Sequence, residues 1–139
     1  MRNLLIALTL ISLISCKKEK EEQQTNNTVS RLVGMGELWV YKGDLCGYYF
    51  PTIKIISADS ATCVRWNPRT NIAGNILTFT YPPNNIGVSY AYSYTISFGT
   101  DADTVNNVIN KFDVVVLKQI APSSELCPQD KGVEYRGNN

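Results

Sequence analysis

Residues 88–98 constrain this chain more than any other stretch. Val88, Tyr90, Tyr92, Tyr94, Ile96 and Phe98 fall on one parity, and Ser89, Ala91, Ser93, Thr95 and Ser97 fall on the other. A strict period of two over so many residues is the pattern of a long antiparallel strand with one face buried. Gly99 is expected to end it. Shorter strand signals surround it. Leu38, Trp39, Val40 and Tyr41 lie in 37–42, ahead of the turn-like Gly43-Asp44. Residues 48–57 are broken only by Pro51, which marks an edge position or a bulge. Residues 62–66 run into Asn67-Pro68, and residues 75–81 into Pro82-Pro83-Asn84-Asn85, both turn signals. Val105, Val108, Ile109 and Phe112 stand at i, i+3, i+4 and i+7, which predicts a short helix near residues 101–112, capped by Thr100 or Asp101. Val114-Val115-Val116-Leu117 predicts a central last strand over 113–120, and the tail after Glu134 reads as frayed. Six strands with one late helix predict a mostly β domain, a small antiparallel barrel or sandwich.

The N-terminus is of another kind. Arg2 precedes an apolar run from Leu4 to Ile14, broken only by Thr9 and Ser12. As a helix that run covers roughly 16 Å, about half of a bilayer's hydrocarbon core, so it is too short to span and fits a signal-peptide core. It ends in Leu13-Ile14-Ser15-Cys16, which resembles the lipobox of bacterial lipoproteins. The resemblance implies a signal peptide over 1–15, a lipid on the Cys16 thiol, and an anchor in the outer membrane. Residues 17–28 contain no apolar side chain, so 16–30 is expected to be a disordered tether. The Lys17-Lys18-Glu19-Lys20-Glu21-Glu22 start is similar to a surface-export signal of Gram-negative lipoproteins, which implies outward exposure; the other reading is a plain solvated spacer.

Composition removes several function classes. The 139 residues include no histidine, which excludes His-dependent triads, His-ligated zinc and an imidazole pH switch. From residue 31 onward nine basic groups balance nine acidic ones, so no basic face is expected for nucleic acid. All 14 aromatic residues lie in that part, which is read as a single domain over 31–139. Glu37, Asp44 and Asp59 are isolated carboxylates with no partner for glycosidase chemistry. Asp101-x-Asp103 lacks the rest of a calcium loop. No catalytic residue, metal ligand or cofactor is assigned, and the domain is read as non-enzymatic.

Three cysteines remain beside Cys16. Cys46 lies in a Gly-flanked turn and Cys127 in a Ser/Pro loop, so Cys46–Cys127 is the favoured disulfide with Cys63 free; Cys46–Cys63 is the competing pair. Tyr90, Tyr92 and Tyr94 offer the one candidate binding platform, for a sugar ring or a protein. The same face continues into Ile96 and Phe98, which argues instead for a core side. Cys46-Gly47-Tyr48-Tyr49, Arg65-Trp66-Asn67-Pro68, the segment 74–81 and the segment 114–120 together resemble small lipoprotein domains with an OB-like barrel and no assigned activity. The expected role is an outer-membrane-anchored, non-catalytic binding module for envelope glycan or protein. The alternative is a structural or assembly accessory of an outer-membrane complex.

Overall fold

The computed structural model describes residues 2–43, 47–64, 67–81, 86, 87, 89–122 and 131–138, with side chains from residue 16 onward. A helix, α1 (Arg2–Gly34), precedes eight strands: β1 (Glu37–Gly43), β2 (Thr52–Ser57), β3 (Ser60–Cys63), β4 (Arg69–Ala73), β5 (Ile76–Thr80), β6 (Ala91–Val105), β7 (Val108–Ala121) and β8 (Val133–Gly137). Every strand pairs antiparallel with its neighbour in sequence, and β8 returns to β1 to close a barrel. The order is that of an up-and-down meander, which differs from the five-stranded Greek key of an OB fold.

Alternation along the strands decides what is inside. In β6, Tyr94 and Ile96 are buried while Ser93, Thr95 and Ser97 face outward. Leu38, Ile53, Ile55, Leu77, Phe79, Val115, Leu117 and Tyr135 join them, each at 2% exposure or less. This apolar, filled interior differs from the polar lumen of a membrane-spanning barrel. No helix among the described residues is long and apolar enough to cross a membrane.

Three expectations are overturned, and one strand is added. Residues 101–112 are not a helix: β6 continues through Gly99 to Val105, and β7 starts at Val108. The reversal is made by Asn106 and Asn107, with φ of 53° and 64°. Two consecutive positive φ angles define the tight hairpin turn that suits strand twist, and asparagine tolerates them best after glycine. The β-branched Thr100, Thr104, Val105, Val108 and Ile109 favour the extended chain further. Residues 16–30 are not a disordered tether but part of α1. Lys, Glu and Gln are good helix formers, and the polar stretch leads into a last turn that is held by burial. Leu32 is 1% exposed, Met35 and Thr28 are buried, and Val29 packs on the core. Gly36, at φ 71°, ends the turn. Beyond Glu134 the chain does not fray: it forms β8, with Tyr135 wholly buried. A strand over residues 69–73, absent from the sequence reading, completes the meander as β4, zipped to β5 through a tight turn at Gly74-Asn75.

In a meander, alternate connections lie at alternate ends. The β2–β3, β4–β5 and β6–β7 turns therefore share an end with α1. There Leu32 and Met35 plug the barrel, and the Gly74 amide donates to Thr25 Oγ1 at 2.7 Å. The other end is stoppered by residues 48–50. Tyr135 donates its hydroxyl to the Phe50 carbonyl at 2.8 Å, and Tyr94 donates to the Tyr48 carbonyl. The hairpin of β6 and β7 is longer than the barrel. β5 stops pairing with β6 at Thr95, and β8 stops pairing with β7 at Val114, so the rest projects as an arm.

Candidate functional site

The tyrosine face does not form an open platform. Tyr94 is 1% exposed and belongs to the core. Tyr92 is half-buried and stacks on Tyr48, with centroids 4.3 Å apart and planes 16° from parallel. Tyr81 and Phe50 complete an edge-to-face set around Tyr48. Tyr90, 51% exposed, stands at the rim without a stacking partner among the described rings. Of the three predicted ligand-binding tyrosines, Tyr92 and Tyr94 lie in β6 and serve the stopper, and Tyr90 immediately precedes the strand. Cys63 is a buried free thiol, pushed up to about 12 by burial. Cys46 and Cys127 lie outside the described residues, and so does their expected pairing. Cys16 is exposed on α1 with a free thiol.

The open concavity lies at the other end, where the arm, the end of α1, β1 and β8 meet around a groove of about 940 Å³. Alternation in β1 sends Leu38 inward and therefore turns Trp39 and Tyr41 outward. Trp39 is 51% exposed and sits in register beside Arg136 of β8. The Arg136 guanidinium lies 3.7 Å above the Phe112 ring, while its Nη1 donates to Asp103 Oδ2 at 2.9 Å. Phe112 meets Tyr41 edge-on at 5.2 Å. Next to it Lys42 Nζ pairs with Asp101 at 2.9 Å. That hydrogen bond raises the Lys42 ammonium and lowers the Asp101 carboxyl from their ordinary values. Glu134 is shifted up, first by burial and then by the neighbouring Asp101 charge. These contacts lean the arm against β1 and β8 and hold the groove wall in place. On the α1 side, Arg31 lies 3.9 Å above Phe98.

Among the described residues no three His, Cys, Asp or Glu side chains converge on a common point. What the groove offers is a half-exposed indole on a rigid strand, next to guanidinium groups already ordered by stacking. Of these residues only Trp39 and Tyr41 had a legible signal, the outward parity of 37–42. Arg31, Phe112 and Arg136 come from distant segments, and nothing local marks them. No family model matches the chain, and no similar curated protein or solved structure was found.

Proposed function

We propose that this chain is a lipid-anchored protein of the outer membrane whose barrel is a non-catalytic binding module, with the Trp39 groove as its site and envelope glycan as its ligand. One observation carries the reading: Trp39 leaves half its surface in water at the edge of an open groove, although the barrel has a well-filled interior. An indole held on a strand gives up little rotamer freedom on binding, and its flat face suits the C–H side of a sugar ring. The lipobox-like Leu13-Ile14-Ser15-Cys16 supports the anchor.

The test uses protein from residue 17 onward, titrated with fractionated envelope polysaccharide and followed by isothermal titration calorimetry. Trp39→Ala should abolish binding and leave the melting temperature within a few degrees, as for an exposed side chain. Unchanged binding would remove the groove from the proposal. An absence of glycan binding in the native protein, together with its recovery in an outer-membrane protein complex, would favour the accessory role. The arm tip supports that second reading, because Val105, Val108 and Ile109 are 54%, 58% and 67% exposed.

A further inference from the structure

The groove carries a charge asymmetry that the whole domain does not. Arg31, Lys111 and Arg136 line it with Asp113; with the Arg136 charge met by Asp103, Arg31 and Lys111 still outnumber the one lining carboxylate, although basic and acidic groups balance over residues 31–139. The nearby carboxylates are already taken: Asp101 pairs with Lys42 and Asp103 with Arg136. Arg31 and Lys111 form no ion pair among the described residues. Arg31 is exposed, with its guanidinium 3.9 Å above the Phe98 ring, and a guanidinium carries its N–H donors in a planar fork along its edge. That edge presents paired donors with the spacing of a carboxylate. Stacking also orders the side chain in advance, so less rotamer entropy is lost when an anion binds.

Arg31 also belongs to a second, smaller groove of about 330 Å³ along α1, where Lys20, Gln23, Gln24 and Asn27 join it. Amide side chains both donate and accept, as hydroxyl-rich ligands require. The two grooves share Arg31. A chain of sugars crossing from Trp39 to the amide face would therefore pass the unpaired guanidinium.

We infer that the site selects carboxylate-bearing glycans, polymers of uronic acids, and that Arg31 is the residue that sets this selectivity. The inference rests on the glycan-binding reading and adds the chemistry of the ligand. The probes are oligosaccharides of galacturonic, mannuronic and glucuronic acid, each beside its carboxyl-reduced neutral counterpart, titrated into protein from residue 17 onward. At least one acid should bind tenfold or more tighter than its reduced form, with an advantage that shrinks as salt is raised. Arg31→Gln should bring the ratio to about one. Arg31→Lys should recover part of it, since charge without the fork remains. Lys111→Gln, which removes no ring stacking, should lower the ratio several-fold and decides the matter if Arg31→Gln does not fold. Equal affinity for acid and neutral forms in the native protein would overturn the selectivity while leaving a glycan site. No binding of any probe would overturn both. A preference that survives Arg31→Gln would overturn the assignment to Arg31.

Discussion

Tyr94, Tyr135 and Cys63 show what burial does to groups that titrate in alkali. Tyr94 and Tyr135 are driven upward chiefly by loss of water, and both spend their hydroxyls on carbonyls of residues 48 and 50. Cys63, 8% exposed on β3, is pushed from 9.0 to about 12 by the same cause. A group that holds its proton longer when folded contributes its full stability below the unfolded value and loses it as pH climbs toward the folded one. Stability should therefore be level with respect to these groups up to about pH 9 and fall between pH 9 and 12, as read by urea melts across that range. Cys63 should also resist alkylation at pH 8.5 in the native state and react at once in denaturant. Native labelling of the Cys63 peptide at the denatured rate would show that the thiol is not buried. None of this was visible in the residue types themselves. The alternation of 88–98 correctly made Ile96 core, but it could not tell that Tyr92 would be covered by Tyr48 from a loop some forty residues earlier.

The arm and α1 are the two elements in which local pattern and tertiary structure part ways. Apolar spacing of three and four from Val105 to Phe112 mimics a helical stripe, but it arises from a hairpin whose turn interrupts the count. Val105 and Val108 are direct cross-strand partners. A substitution at the turn separates the two readings. Asn107→Gly should hold or raise stability, because glycine takes a φ of 64° without cost. Asn107→Val should lower it by about 1–2 kcal/mol. In a helix the glycine variant would instead lower stability by roughly 0.3 kcal/mol, since asparagine is itself a poor helix former. Amide exchange should place the change chiefly within residues 99–113, since the tip around Asn106 and Asn107 lies beyond the contacts that Asp101, Asp103 and Phe112 make with β1 and β8. For α1 the pattern was incomplete rather than misleading. Its polar length has the composition of a solvated spacer, and only Leu32 and Met35, seated in the barrel end, show why it is ordered.

At the scale of the whole molecule, the fold class was legible because period-two alternation is a property of each strand alone. The site was not, because it assembles Arg31, Trp39, Phe112 and Arg136 from four elements that meet only when the barrel closes. The anchor is a question of the same scale. If Cys16 carries the lipid, Cys16→Ala should move the protein from the membrane to the soluble periplasmic fraction. Continued partition into detergent would sink the lipoprotein reading. Closure of the barrel has a consequence for how the chain reaches its native state. Seven of its eight strand pairings join neighbours along the chain, so each can form from a short loop. The eighth joins Leu38 to Gly137. Bringing ends about a hundred residues apart together costs on the order of 4 kcal/mol in chain entropy. That single seam is thus the slow, non-local event, and until it forms β1 and β8 are bare edges open to pairing with other chains. It is also tightly fitted, since a methyl group on Gly137 would come within 2.4 Å of the Met35 carbonyl oxygen. The residues that line the groove on β1 and β8 straddle this same seam, so the groove itself comes into being only when the barrel closes.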